Sequence, residues 1–211
     1  MERRISLPIQ GRQAPVERAD AARNRRRILA AARKLLAKRP IDSIGMDELA
    51  RAAGVGKGTI FRRFGDRSAL CMALLDENER ELQESVLADF HLPKGASAYQ
   101  RLTVFLDALF AFHIDNARVL VEAETYRHPE ERFAQPPYVW RRRELVRRIQ
   151  RAKDAGDISP GDTAVTSELI MAGLGAPLLL WQVKRFGRNA LHQRVMGIWQ
   201  HLLQYRERTD E

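Results

Sequence analysis

The residues best placed to do chemistry lie in "AGVGKGTIFRRFGDRSAL", positions 53 to 70, where glycines surround a lysine and a threonine. Such a stretch can meet phosphate in two ways. A nucleotide-binding P-loop needs Gly, four residues, then Gly-Lys-Ser/Thr after a buried strand. Here Lys57 is followed by Gly58, Arg51 takes the place of the first glycine, and the preceding segment reads as helix. The dinucleotide fingerprint also fails, because no strand precedes "GVGKG" and its third glycine is out of register. Two short helices joined by a tight glycine-containing turn remain, the helix-turn-helix arrangement, whose second helix enters the DNA major groove.

A helical wheel of "KGTIFRRF" puts Ile60 and Phe64 on one side, to hold the helix to a core. Gly58, Thr59, Arg62 and Arg63 lie on the other, with Lys57 at the helix start. Arginine forks onto guanine in the major groove, helix N-termini bind phosphate, and Gly58 lets backbone approach the DNA. Charge placement agrees. Residues 1–66 hold 16 Lys+Arg against 7 Asp+Glu, while residues 67–211 hold 20 of each. A basic excess confined to one segment suits a polyanion, since each neutralised phosphate releases condensed counterions.

The elements that position these residues read as helices throughout. Residues 1–22 are expected to be a flexible basic tail, 23–66 a helix-turn-helix DNA-binding domain, and 67–211 a helical ligand-binding and dimerisation domain. "ADAARNRRRILAAARKLLAKRP" places Ile28, Ala32, Leu35 and Leu36 on one face and stops at Pro40. "GMDELARAAG" gives a short helix with acids in its first turn and Gly54 just past its end. A long helix is expected from Asp66 to Phe90, then one carrying the face Leu102, Phe105, Leu106, Leu109, Phe110 and His113, then a separate shorter one over "RVLVEAETY". Pro136 and Pro137 open a basic helix ended by Gly156. Two apolar helices close the chain, the first kinked at Gly173 to Pro177. No alternation of period two is present, so the chain reads as all-α.

Other candidates point to ordinary structure. Cys71 is the single cysteine, so no internal disulfide can form, and it reads as a packing residue. The five histidines form no metal constellation: Glu124 and His128 are one turn apart without a third ligand. No nucleophile-base-orienter set suggests an enzyme, and no cofactor is expected. The run "RRRELVRRIQRAK" reads as a solvated face in which Glu144 pairs with Arg148. With no signal-like start and no run of about 20 apolar residues, a cytoplasmic protein free of membrane is expected.

The segment "RRRILAAARKLLAKRPIDSIGMDELARAAGVGKGTIFRRFGDRSAL", residues 25 to 70, resembles the N-terminal domain of the tetracycline-repressor (TetR/AcrR) family of bacterial transcriptional regulators. The resemblance implies an N-terminal three-helix bundle, double-stranded operator DNA read by its third helix, and a homodimer formed by the last two helices. It also implies a small-molecule effector among the middle helices that releases the DNA. Phe61 stands where the family usually has a phosphate-binding tyrosine, and Arg67 where a lysine commonly meets the DNA backbone. The candidate DNA contacts are thus Lys57, Gly58, Thr59, Phe61, Arg62, Arg63 and Arg67. Effector contacts are expected from Phe105, Phe110, His113, Glu122, Tyr126, Tyr138, Trp140 and Gly173. The stripe Trp181, Leu191, Val195, Ile198, Trp199 and Leu202 is more apolar than a monomer surface needs and is read as the dimer face.

Overall fold

The computed structural model describes residues 15–36, 38–87, 92–124 and 133–203. All regular structure among them is helical: α1 (Pro15–Leu36), a 3-10 turn (Ile41–Ser43), α2 (Met46–Ala53), α3 (Lys57–Phe64), α4 (Arg67–Leu87), α5 (Ala98–Glu124), α6 (Pro136–Asp154), α7 (Thr163–Ala172), α8 (Ala176–Phe186) and α9 (Arg188–Leu203). The chain divides into two compact units after Gly65.

In the first unit α1 begins at Pro15, inside the segment expected to be a flexible tail. Proline suits a first helical turn, where its missing N–H has no partner to lose. Residues 1–14 of that expected tail lie outside the described residues. The core of this unit is Ile28, Leu29, Ala31 and Ala32 of α1 with Ile41, Ile44, Leu49, Ala50, Ala53, Ile60 and Phe64. Two arginines of α1 brace the turn and the helix after it: the Arg27 guanidinium donates to the Gly54 carbonyl at 2.9 Å, and Arg25 lies 5.8 Å from the Phe64 ring centroid. Arg39 pairs with Glu48 of α2.

Gly54 ends α2 in the left-handed region, φ 62°. The Gly54 and Val55 N–H groups return to the Arg51 and Ala50 carbonyls at 3.1 and 3.0 Å, a Schellman closure that uses up the end of α2 and reverses the chain into α3 within three residues.

In the second unit α4 opens with the Asp66 carboxylate accepting from the Ala69 N–H at 2.8 Å and buries Leu70, Leu74, Leu75, Leu82 and Val86. Its expected end at Phe90 lies outside the described residues. α5 is the central element, packed on α4, α6, α8 and α9. It is one helix of 27 residues, where a break after His113 was expected. The segment "IDNA" contains no glycine or proline, and the Asn116 amide, instead of ending the helix, donates to the Phe112 carbonyl one turn back at 2.8 Å while accepting from Asn78 of α4 at 2.5 Å. The expected kink at Gly173–Pro177 is a full break: α7 and α8 are separate helices bent by 60°. Proline is tolerated in the first turn of a helix, and Pro177 starts α8 there.

Gly54→Ala is expected to destabilise the first unit by about 1 kcal/mol or more, because the left-handed backbone disfavours a side chain and the new Cβ would displace Arg27. Hydrogen exchange of the α2 amides in the full chain checks it, with exchange about fivefold faster expected.

Candidate functional site

The outward face of α3 is the first candidate. Ile60 and Phe64 are buried, whereas Lys57, Gly58, Phe61, Arg62 and Arg63 are exposed and Thr59 is half-buried. Lys57 Nζ is forked onto the Asp47 carboxylate at 2.7 and 3.0 Å and lies 5.9 Å from the Phe61 ring centroid. Both partners are more than half exposed, so the pair orients the ammonium more than it stabilises the fold. Among the described residues neither Arg62 nor Arg63 has an acidic partner, which leaves two guanidiniums presented from one helix face. Arg67 opens α4 in the second unit and is half-buried. Its charge draws the Cys71 thiol down, but burial first and Glu122 next push that thiol up to about 12, so Cys71 stays protonated and packs in the core.

The second candidate is a cavity of about 590 Å³ within the second unit, walled by α4 to α8. Phe112, Leu120, Met171 and Leu174 supply apolar walls, and Asp76, Glu79, His113, Gln135, Tyr138, Arg141 and Glu168 the polar ones. Glu79 of α4 and Arg141 of α6 form an ion pair with both side chains buried, and the guanidinium lies 5.0 Å from the Phe112 ring centroid. Burial pushes the Glu79 carboxyl up, and Arg141 pulls it back down. His113 Nδ1 lies 2.8 Å from the Leu109 carbonyl oxygen. A carbonyl only accepts, so Nδ1 carries the proton. Burial, then the charge of Arg141, brings the His113 pKa down to about 3, so the ring is neutral near pH 7 and Nε2 is an acceptor. The Tyr138 hydroxyl donates to Glu168 at 3.3 Å, and Arg142 pairs with the same carboxylate.

Of the expected effector contacts, His113 and Tyr138 line this cavity. The other described ones do not line it. Phe105 is 1% exposed and meets the edge of Trp140 at 6.4 Å with the Arg148 guanidinium 5.1 Å from its centroid, so both aromatics belong to the packing of α5 on α6. Phe110 packs against His192 of α9 at 5.0 Å. Glu122 acts on Cys71, and Gly173 caps α7 while Leu174 to Pro177 do the lining. Tyr126 and His128 lie outside the described residues. Two residues expected at the dimer face are also corrected: Leu191 and Trp199, 4% exposed, are core residues of their own chain, and Val195 and Leu202 pack against that core. Trp181, at 56%, and Ile198, at 64%, do face outward.

Sequence reasoning missed Glu79 and Arg141. Arg141 sits in a run of arginines with a solvated reading, and only the tertiary packing selects it, with Glu144 and Arg148, for burial. The expected pairing of Glu144 with Arg148 is present at 2.7 Å.

Residues 28–74 match the profile of the family described as bacterial regulatory proteins, tetR family. An HTH-type transcriptional regulator of Staphylococcus aureus is 35% identical over 109 residues, 49% of this chain and 55% of that protein. This chain therefore spans about half the length of the curated relatives it matches. Residues 28–74 therefore form a tetR-family regulatory domain. Among solved structures, a transcriptional regulator from Saccharomonospora viridis in complex with choline superposes with a TM-score of 0.68 at 18% identity, covering 89% of this chain and 100% of that one. RolR in complex with resorcinol gives 0.60 at 17% identity, covering 90% and 91%. TetR-family regulators bind DNA and are not enzymes, which accords with an all-helical chain whose arginine-bearing helix follows a tight turn. Among the described residues no single helix is long and apolar enough to cross a membrane; α7 and α8 together have the composition but are bent by 60°.

On a duplex that the protein selects from a random-sequence pool, Arg62→Ala and Arg63→Ala are each expected to weaken binding by about 1 to 3 kcal/mol where the arginine reads a base, measured by fluorescence anisotropy. Stability should also fall as pH drops from about 6.5 towards 3, since across that interval the unfolded imidazole of His113 binds a proton that the folded one does not. Urea unfolding of His113→Gln against wild type should show a shallower loss, the difference reaching at most about 1.4 kcal/mol per pH unit.

Proposed function

We propose that this protein is a dimeric repressor of transcription that leaves its operator when a small molecule binds in the cavity of its second unit. The observation that carries the reading is the 590 Å³ cavity, apolar for most of its wall but with a neutral histidine and a buried ion pair inside it, in a chain whose first unit is a tetR-family DNA-binding domain. Its size and mixed lining are those of a small-molecule site. The S. viridis regulator and RolR, which share the fold, were solved with choline and with resorcinol.

In this reading α3 reads operator bases through Arg62 and Arg63, and Lys57 and Arg67 meet phosphates. One eight-residue helix reads few base pairs, so two copies are needed for a specific site. The exposed Trp181 and Ile198, from α8 and α9, supply apolar surface for the pairing. An effector shifts the equilibrium only by binding the DNA-free arrangement better, and the coupling works equally in both directions.

The test uses the selected duplex and compounds found by thermal shift to bind the full chain. A saturating compound should lower operator affinity about 5- to 150-fold, and the operator complex should bind that compound more weakly by the same factor. Unchanged operator affinity at saturation would refute ligand control. For the dimer, sedimentation of Trp181→Glu/Ile198→Glu should show monomers at micromolar concentration with operator binding lost, and a wild-type monomer at that concentration would contradict it.

A further inference from the structure

We infer that the cavity of the second unit selects amphipathic molecules that carry a protonated amine, with their N–H groups turned to His113 and Asp76. The inference rests on the reading of that cavity as an effector site and names the class of effector it takes.

Arg141, the one basic side chain lining the cavity among the described residues, is engaged by the Glu79 carboxylate and stands over the Phe112 ring. Glu79 also accepts from the Gln83 amide at 3.3 Å. An incoming anion would have to displace this buried carboxylate to use the guanidinium fully. Glu168 is balanced by Arg142, and the Tyr138 proton is turned to Glu168, so that hydroxyl offers its lone pair. His113 spends its single N–H on the Leu109 carbonyl and offers Nε2 as an acceptor from a nearly buried position. Asp76 lines the same cavity, and among the described residues no basic side chain pairs with it.

Apart from the Gln135 amide, which carries donors and an acceptor, what the walls still offer a ligand is therefore mostly acceptors, together with one uncompensated negative charge. A carboxylate ligand meets repulsion from Asp76 and finds few donors. A neutral apolar ligand leaves Nε2 and the carboxylate without partners, which is costly wherever water is displaced. A protonated amine supplies donors and the complementary charge at once. The rest of the lining suits its carbon skeleton, and Phe133 and Tyr138, tilted together at 5.2 Å, present ring faces that attract a cation.

The probes are 4-phenylbutylamine, 4-phenyl-1-butanol and 4-phenylbutyrate, titrated into the full chain by calorimetry at pH 7. The amine should bind about tenfold more tightly than either of the others, the sum of a modest ion pair and a cation–π contact. Asp76→Asn should reduce that advantage to less than about threefold, while Asp76→Glu should keep it, as expected for loss and retention of one surface ion pair. Asp76 is exposed, and circular dichroism melts verify that both variants fold. Equal or tighter binding of the alcohol or the carboxylate, an advantage that survives Asp76→Asn, or no binding of any probe would overturn the inference. Operator affinity measured on the same samples separates it from the regulatory reading. Preferential amine binding with unchanged operator affinity supports the cavity's selectivity and defeats ligand control; operator release by the carboxylate alone supports ligand control and defeats the selectivity.

Discussion

The second unit depends on the buried pair of Glu79 and Arg141. Two charges inside a protein are tolerated only when each holds the other; removing one partner costs about 3 to 5 kcal/mol. This requirement ties α4 to α6 across α5, which passes with Phe112 beneath the guanidinium and His113 beside it. It also shapes the cavity. Apolar side chains at these positions would pack closed, whereas a charged pair with an aromatic floor leaves polar atoms facing a space that leucines and methionines wall in. The same charges settle the state of His113, because Arg141 adds its repulsion to desolvation and keeps the imidazole neutral.

Charge divides the chain in the same way as the contacts do. All the formal excess lies in residues 1–66, where arginines perform two different tasks. Arg25, Arg27 and Arg39 are spent inside the unit, on the Phe64 ring, the Gly54 carbonyl and Glu48. Arg62 and Arg63 are left outward on α3. The arginines of the second unit are consumed differently: Arg141, Arg142, Arg147, Arg148 and Arg188 each have a carboxylate. A basic run in the sequence thus becomes a helix whose paired arginines are met by Glu144 of the same helix and by Glu79 and Glu168 of neighbouring helices, while Arg62 and Arg63 of the first unit stay available for the proposed polyanion contact.

The helix-turn-helix was legible because its signals are local. Gly54 at a helix end, the spacing of Ile60 and Phe64, and the outward arginines of α3 are decided within about ten residues, and the structure puts each where the wheel does. The second unit was legible in its helical class but not in its site. Amphipathic periodicity marks Phe105 and Phe110 as facing something, yet it does not distinguish a core from a pocket wall, and both turned out to be core. Leu191 and Trp199 were misread for the same reason: a wide apolar stripe was assigned to a partner when their own chain covers them. Only Trp181 and Ile198 remain outside. α5 runs unbroken through "IDNA", where the Asn116 side chain is held by Phe112 and Asn78 and does not end the helix. Glu79 and Arg141, 62 residues apart, carry no mutual signal in a single sequence.

The central claim is that DNA is met by α3 and the turn before it, and not by the longer basic run of α6. Hydrogen–deuterium exchange on the full chain, with and without its selected duplex, compares the two surfaces in one experiment. The account predicts slowed exchange over residues 54–64 and no change over residues 141–153. Protection of the α6 amides with α3 unaffected would contradict it.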